Sequence, residues 1–433
     1  MKRSIIGIFC SITLLTAAPI DNIGALKVVG NQIQGANGQP AQLIGMSFYH
    51  GQHKAGRDFV KRSVVETLAK TWRSSVVRIP MMYSSESGSN GGKGYDQDPA
   101  NSVKMVDSVV KAAIDLGIYV VVDWHEVSTI GHQSQAVSFF TDIAQRWGSY
   151  PNVIYEVFNE PTTSSWAEIK SYSTAVIAAI RSKDPDNLIV VGTRNWSQQV
   201  MEAAKDPIKG NDGKLASNVA YVLHFYASEA GHQGLIARAD SAMAAGIALF
   251  VTEWGNSTAS GNGALNQGYM DKFMNWMLDK RLSWCNWSLS DIPETSAALR
   301  NGTWNAQGMI THAVSTDGGW SDGDLSQSGL FVKNKIVANR PAWTPPGNVA
   351  VRSRSEVSAG NFSVEQRSSG ITLTTGNSHR WTNAAMFDLK GALITNSKFT
   401  PSLHFRRTAQ GISILQIKDV EGTDRVHKIQ SVK

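Results

Sequence analysis

Two glutamates stand at the ends of apolar runs that are typical of buried strands. Glu160 ends the segment VIYEVFNE (153–160), and Glu253 follows LFVT (249–252). Strands often stop at polar residues, and Pro161 would end the first one in any case. Two carboxylates in one buried site can also share acid and base chemistry, because one keeps its proton while the other stays ionised. The two glutamates are therefore the first candidates for catalytic residues.

Further polar and aromatic side chains lie at the ends of the other apolar runs. They are Arg78 in SVVRIPM, His125 in YVVVDWH, Asn159 beside Glu160, His224 and Tyr226 in NVAYVLHFYA, and Trp287 in LSWCNWSLS. Packing explains one polar strand end, but so many together would each need a buried partner. We therefore expect one polar cleft, in which Arg78, Asn159 and Tyr226 favour an ionised carboxylate.

Paired carboxylates of this kind suit glycoside hydrolysis. One protonates the leaving oxygen, while the other attacks the sugar or activates water. A separation of about 5–5.5 Å would make the second carboxylate a nucleophile with retention of configuration, but sequence does not give this distance. The segment HEVST after Trp124 lacks the second histidine of a metalloprotease helix, so we expect no zinc site, and no cofactor is required.

The elements that must position these residues alternate along the chain. Near-continuous apolar runs occupy residues 42–48, 75–81, 119–125, 152–160, 187–193, 218–227, 248–255 and 282–290. Amphipathic stretches between them, at 102–117, 134–148 and 165–182, predict helices. Eight such strands over about 250 residues predict an α/β fold, a (β/α)8 TIM barrel over residues 22–340, and disfavour a doubly wound sheet. In that barrel the carboxyl ends of the strands form the active site.

The segments outside the barrel have their own signatures. Residues 1–18 carry two basic residues, an apolar run and small residues, which predict a secretory signal peptide. Residues 26–43 predict a β-hairpin that turns at Asn37-Gly38 and closes the bottom of the barrel. A proline-rich linker is expected at 341–349, followed by a small β module at 350–433.

Composition and charge exclude several classes of function. The chain has 433 residues, of which 42% are hydrophobic and 18% charged, with a net charge of +6. The excess of positive charge lies in residues 346–433, which hold 12 Lys and Arg against 6 Asp and Glu. No basic and aromatic pattern suggests nucleic acid, and no segment is long enough to span a membrane. Without the signal only Cys285 remains, so no disulfide can form within the chain, which we expect to be a secreted monomer.

Seven ordered motifs resemble glycoside hydrolase family 5 over roughly residues 25–340. They are VVRIPM, DWHE, IYEVFNEP, VGTRNWSQ, LHFYA, LFVTEWG and NWSLSDIPETSAAL. The pattern is similar to that of the bacterial and plant-parasitic-nematode endoglucanases of the family. The resemblance implies that Glu160 is the acid/base and Glu253 the retaining nucleophile. It implies substrate contacts from His50, Arg78, His125, Asn159, Trp196, His224, Tyr226, Trp287 and Glu294.

The resemblance also implies individual roles. Asn159 would bind the 2-hydroxyl of the sugar, Arg78 and Tyr226 would position Glu253, and the two histidines 125 and 224 would line the cleaved subsite. Trp287 would be the stacking floor of that subsite, and Trp196 a platform on the leaving-group side. One departure is Ile292, where the family often has a lysine that reaches the sugar, although Glu294 is present.

The tail resembles the C-terminal sorting domain of the type IX secretion route. The resemblance rests on AAMFDLKGALI (384–394), GISILQIKD (411–419) and a basic end. A carbohydrate-binding module and a plain structural appendage remain alternatives, although Trp381 and four phenylalanines offer little for a flat binding platform.

The sequence therefore predicts a secreted endo-β-1,4-glucanase that acts on β-glucan polysaccharide. An alternative keeps the chemistry and changes the polymer to mixed-linkage glucan, mannan or xylan. A non-catalytic polysaccharide-binding protein on the same barrel is the alternative of another class.

Overall fold

A computed structural model of the chain describes residues 17–84, 92–128, 130–210 and 213–340, and the backbone of seven strands between residues 362 and 430. Eight parallel strands form a closed barrel. In chain order they are β1 Ile44–Phe48, β2 Val76–Met82, β3 Tyr119–His125, β4 Val153–Glu156, β5 Ile189–Val191, β6 Val219–Tyr226, β7 Leu249–Gly255 and β8 Ser283–Leu289. Each strand pairs with the next along the chain, and β8 pairs with β1. The predicted (β/α)8 barrel is confirmed.

Helices connect the strands around the outside of the barrel. The described α-helices are Pro19–Ile23, Lys54–Arg57, Arg62–Lys70, Pro99–Leu116, Gln133–Trp147, Trp166–Arg181, Arg194–Ser197, Val200–Lys205, Leu235–Ala244, Gln267–Asp279 and Gln327–Asn339, with 3-10 helices at Ala230–Gly234 and Asp322–Asp324. Local sequence sets their ends. Ser165 and Glu168 form a capping box at one start, and Gly117 ends another helix in the left-handed region at φ 73°. Among these helices none is long and apolar enough to cross a membrane.

The bottom of the barrel is sealed by the segment before β1. Strands Lys27–Val29 and Gln32–Gln34 form a hairpin, and Leu26 and Ile33 pack with inward-facing residues of the barrel strands. The predicted turn was wrong, because the two strands turn at Gly30-Asn31, where Gly30 has φ 58°. Asn37-Gly38 forms a second, separate turn that brings Gln34 opposite Pro40.

Shorter strands lie outside the barrel. Glu160–Pro161 pairs with Val127–Ser128, and Thr303–Trp304 pairs with Ile310–Thr311. In the tail the described strands form two antiparallel sheets, one of Phe362–Arg367, Gly370–Thr375 and Ser402–Arg406, the other of Trp381–Phe387, Leu393–Lys398, Ile412–Asp419 and Asp424–Gln430. The signal peptide at 1–18 lies almost wholly, and the linker at 341–349 wholly, outside the described residues, so these domain boundaries stay predictions.

Candidate active site

The predicted site residues meet at the carboxyl end of the barrel. His125 and Tyr226 are the last residues of β3 and β6, while Arg78, Glu253 and Trp287 lie within their strands, nearer the middle. Each of these side chains is nine-tenths or more buried, apart from Tyr226, which is partly exposed. The predicted residues thus form one polar cluster, but the prediction that Arg78, Glu253 and Trp287 end their strands was wrong, because each strand continues for two or more residues beyond them.

The chain between β4 and Glu160 does not continue as one strand. A strand to residue 160 was predicted, but β4 ends at Glu156 and the backbone then bonds to two different neighbours. Val157 N–H donates to the Val190 carbonyl, and Glu160 N–H donates to the Glu126 carbonyl. The bend leaves β4 and carries Glu160 over to the short strand beside β3.

The two glutamates and His224 face one another. One carboxylate oxygen of Glu160, one of Glu253 and a ring nitrogen of His224 all lie within 4.8 Å of one another. Glu160 is 8% exposed and Glu253 is 4% exposed. The pair is therefore close, buried and able to reach the same reacting atom.

Arg78 lies at the centre of the cluster and is fully buried. Its guanidinium contacts Glu253 Oε2 at 3.1 Å, Glu156 Oε2 at 2.7 Å and Asp123 Oδ2 at 2.8 Å. It also donates to Asn159 Oδ1 at 2.6 Å, which fixes the orientation of that amide. Burial alone would lower the pKa of Arg78, but the three carboxylates outweigh burial and raise it well above its ordinary value. Arg78 is therefore a permanent cation.

Glu253 is held by two donors. Arg78 Nη1 donates to one carboxylate oxygen, and the Tyr226 hydroxyl donates to the other at 2.9 Å. Burial and the nearby Glu160 raise the pKa of Glu253, while His224, Arg78 and the Tyr226 hydroxyl oppose them. The same surroundings, burial first, raise the pKa of Tyr226 well above 10, which keeps its hydroxyl a donor.

His224 links Glu160 to a buried carboxylate on β4. Its Nδ1 lies 2.9 Å from Glu160 Oε1, and its Nε2 lies 2.9 Å from Thr252 Oγ1. Thr252 in turn donates to Glu156 Oε1 at 2.6 Å. Burial alone would lower the pKa of His224, but the surrounding carboxylates outweigh it and raise the pKa to about 9. His224 is a cation at neutral pH.

Two other histidines of the site, His50 and His125, are neutral. His125 Nδ1 lies 2.7 Å from Asp123 Oδ2, which already accepts from Arg78, and His125 Nε2 lies 3.1 Å from His50 Nε2. Burial lowers the pKa of His125 well below 6.5 and that of His50 to about 3. Trp287 stacks parallel to His125, with ring centroids 5.4 Å apart and an interplanar angle of 1°. These rings form one wall of the cleft.

The remaining predicted residues lie at the rim. Trp196, 46% exposed, stands in the turn after β5 with φ 56°. Glu294 is near enough to Tyr226 to raise the pKa of that phenol, and burial raises its own pKa. Ile292 is 1% exposed and packs with Ala55 and Ile310. It therefore belongs to the core beneath the hairpin Thr303–Trp304/Ile310–Thr311.

Within the described residues, Glu160, His224 and Glu253 form the one group spaced to hold a metal ion. Both ring nitrogens of His224 already lie within hydrogen-bond distance of oxygens, and its raised pKa keeps it protonated. A metal ligand must be a neutral imidazole with a free nitrogen. The group is therefore better suited to proton chemistry than to a cation.

Comparison with known proteins identifies the family. A family model of cellulase (glycosyl hydrolase family 5) matches residues 34–292. The chain belongs to glycosyl hydrolase family 5. Its family 5 domain is 42% identical over 318 residues to an endoglucanase of Clostridium saccharobutylicum and 42% identical over 285 residues to endoglucanase Z of Dickeya dadantii. These alignments cover 72% and 66% of the chain, which spans 65% and 64% of the two relatives.

Solved structures agree with the family 5 fold. A protein from Cytophaga hutchinsonii matches with a TM-score of 0.66 and 38% identity, over 74% of this chain and 96% of that one. The catalytic domain of a Thermobifida fusca endoglucanase matches with a TM-score of 0.64 and 31% identity, over 74% and 99%.

Four residues of the candidate site were not predicted from the sequence. They are Ser47, Asp123, Glu156 and Thr252, all fully buried and all bonded to Arg78 or to one of its partners. Two of them left a signal in the sequence. Asp123 and Glu156 are charged residues inside apolar runs, and a buried charge requires a partner.

Proposed function

We propose that this chain is a retaining endo-β-1,4-glucanase. The observation that carries the proposal is the approach of Glu160 and Glu253, with oxygens within 4.8 Å. Inverting enzymes separate their carboxyl groups by about 6.5–9.5 Å to admit a water, while retaining enzymes use about 5–5.5 Å. Arg78 and Tyr226 both donate to Glu253, as a nucleophile that must stay ionised requires.

In the first step Glu253 attacks the anomeric carbon and Glu160 gives its proton to the glycosidic oxygen. The carbon–oxygen bond to the leaving sugar breaks as the bond to Glu253 forms, so the leaving chain departs as an alcohol. In the second step Glu160, now a carboxylate, takes a proton from water. The resulting oxygen attacks the same carbon and releases Glu253.

The neighbouring residues have roles that follow from their contacts. Arg78 orients the Asn159 amide, which leaves the amide N–H groups to donate to a sugar hydroxyl. His224 contacts Glu160 as a cation and compensates its charge between the two steps. Trp287, flanked by His50 and His125, offers a rigid aromatic face for the sugar ring at the cleaved bond.

The relatives support a β-1,4-glucan as substrate. Several named relatives are endoglucanases, and one variant of the Thermobifida fusca catalytic domain is in complex with cellotetraose. Mixed-linkage glucan, mannan and xylan are the substrates against which this preference is tested.

The test is hydrolysis of carboxymethylcellulose, barley glucan, xylan and mannan by the wild type, Glu160→Gln and Glu253→Gln. We expect a rapid fall in the viscosity of carboxymethylcellulose that Glu253→Gln abolishes, and product whose newly released anomer is β by NMR. Activity on mannan or xylan alone would identify that polymer, and not β-1,4-glucan, as the substrate. A folded wild type that binds polymer without cleaving any, and loses nothing in either variant, would be a binding protein.

We also propose that the chain is exported as a monomer and that residues 350–433 direct it to a type IX route. The signal-like residues 1–18 and the motif pattern of the tail support this. In a bacterium that has the route, the intact chain is expected at the cell surface or in the medium, and a chain without 350–433 in the periplasm. Equal release of both chains would contradict the sorting role, and light scattering on the purified protein would test the monomer.

A further inference from the structure

A hairpin after β8 presents an exposed tryptophan at the mouth of the barrel. Trp304 is 41% exposed, although it pairs across the hairpin with Ile310, which is 7% exposed. Ile310 packs with Ile292 and Ala55 in a small apolar cluster, against which Tyr49 also packs. The hairpin is therefore anchored by the buried Ile310, while the aromatic ring of Trp304 beside it is exposed.

Side-chain contacts connect the base of the hairpin to the segments that follow β8 and β1. The buried Asp291 accepts from the Ala313 N–H at 2.9 Å, and its Oδ1 lies 2.9 Å from His312 Nδ1. His312 Nε2 lies 3.2 Å from Asp58, which belongs to the segment after β1. The turn is braced by the Asn305 side chain, which accepts from two backbone N–H groups. Trp304 is thus exposed on a rigid element, and a preorganised aromatic loses little conformational freedom on binding.

Aromatic rings run without a break from the catalytic centre to this tryptophan. Trp287 lies 5.6 Å from Tyr49, Tyr49 lies 5.8 Å from His53, and His53 lies 5.8 Å from Trp304, each measured between ring centroids. The contact between His53 and Trp304 is T-shaped, with an interplanar angle of 78°. It leaves part of the indole free to stack on a ligand.

The position of the hairpin in the barrel gives this line of rings a direction. The hairpin follows β8 and contacts the segment after β1, while Glu160 and Trp196 follow β4 and β5 on the opposite side of the closed barrel. In the proposed mechanism Glu160 protonates the leaving group, which places Trp196 on the leaving-group side. Trp304 lies on the other side of the cleaved bond.

We infer that Trp304 forms a distal stacking platform for glucosyl units beyond the one seated on Trp287, on the non-reducing side of the cleaved bond. The inference rests on the proposed function, because it concerns the same substrate in the same cleft. It makes the hairpin a determinant of chain-length preference, since only a glycone long enough to reach Trp304 gains the contact.

Aryl glycosides test this platform because the release of nitrophenol reports cleavage at the aryl bond alone. Nitrophenol release from nitrophenyl β-cellobioside and β-cellotetraoside would be compared in the wild type, Trp304→Ala and Trp304→Phe, with products identified by chromatography. We expect Trp304→Ala to raise KM for the tetraoside about tenfold, the change that a loss of about 1.4 kcal/mol produces. kcat and the cellobioside kinetics should stay unchanged, and Trp304→Phe should restore most of the KM.

Val29→Ala is the matched control, since Val29 is 45% exposed on the hairpin at the opposite end of the barrel. Val29→Ala should leave kcat and KM unchanged with both glycosides. If Trp304→Ala lowers kcat/KM equally for both glycosides, or for neither, the platform is refuted while the proposed function stands. A wild type that hydrolyses no glucan at all would overturn both.

Discussion

At the scale of single residues, two buried cations hold the two glutamates proposed to be catalytic. Arg78 contacts Glu253, and His224 contacts Glu160. Both cations also reach Glu156, Arg78 by a hydrogen bond of 2.7 Å and His224 by an ion pair of 3.6 Å and through Thr252. Glu156 therefore acts as a positioning residue for the whole pair, although it lies too deep to touch a substrate. Its own pKa would be raised by burial, but Arg78 and His224 outweigh burial and lower it.

Tyr226→Phe should move the acidic limb of the pH–rate profile to higher pH. The hydroxyl donates to Glu253 and lowers its pKa, so its loss lets burial and Glu160 raise that pKa further. A hydrogen bond to a charged group is worth about 1.5–3 kcal/mol, which corresponds to a shift of about one unit or more. The measurement is kcat/KM from pH 3 to 9, with Tyr269→Phe on an outer helix as control. An acidic limb that stays in place would refute this role.

His224 should make folding stability fall as pH rises. Its pKa is raised from 6.5 to about 9, so its contribution is fully present below pH 6.5 and is lost as pH rises through 9. The contribution is about 3 kcal/mol, because each unit of pKa shift corresponds to 1.36 kcal/mol. Urea unfolding of the wild type and His224→Gln between pH 6 and 10 measures it. If the free energy of unfolding depends on pH with the same slope in both proteins, His224 is not charged in the native state.

Glu156→Gln should lower the pKa of His224 while preserving the shape of the site. It removes one of the carboxylates that raise this pKa and leaves Arg78 with one fewer partner. Loss of one member of a buried ion pair costs about 3–5 kcal/mol of stability. NMR titration of the His224 ring gives the pKa, and urea unfolding gives the stability. An unchanged His224 pKa would show that Glu160 and Glu253 alone set its charge.

At the scale of elements, the barrel was predictable because its strands are buried on both faces. Such strands appear as near-continuous apolar runs, and the order of eight runs with helices between them leaves few topologies. The end of β4 was not predictable, because VIYEVFNE gives no local sign of the bend after Glu156. The hairpin turn was misplaced because Asn37-Gly38 is the stronger turn signal, yet both turns form.

Most residues of the candidate site were predictable, Arg78 inside β2 among them, whereas fully buried residues that contact only Arg78 or its partners were not. Glu160, Glu253 and His125 close apolar runs, so their chemistry is visible in the sequence. Glu156 and Thr252 interrupt or sit within such runs, and their function depends on which strands are neighbours. Pairing across the barrel is a property of the closed sheet, which a local pattern does not contain.

Gly45 in β1 should tolerate no side chain. A Cβ at this position would lie 1.8 Å from the Val76 carbonyl oxygen, a backbone atom in the neighbouring strand β2. Overpacking costs about 1–3 kcal/mol and more where backbone must move, so Gly45→Ala should lower the free energy of unfolding by at least the upper value. Gly231→Ala is the control, because a Cβ there meets nothing within 4 Å. Equal urea midpoints for the two variants would contradict this account.

At the scale of the whole molecule, catalysis should require the barrel alone. The family match ends at residue 292, and two solved structures align over 96% and 99% of their own length to 74% of this chain. Removal of residues 341–433 should therefore leave kcat and KM on soluble glucan unchanged. A truncated protein that is folded by circular dichroism but inactive would show that the tail contributes to the site.

The pairing of β8 with β1 has a consequence for the order in which the chain is made. Leu43 N–H donates to the Ser283 hydroxyl across 240 residues of sequence, and Trp284 pairs with Ile44. The barrel therefore cannot close during synthesis until the eighth strand has left the ribosome, and until then β1 offers an unpaired edge. Every nascent chain passes through a long interval in which it is translated but has no closed barrel. During that interval its open strand edges are exposed to pairing with the edges of other chains.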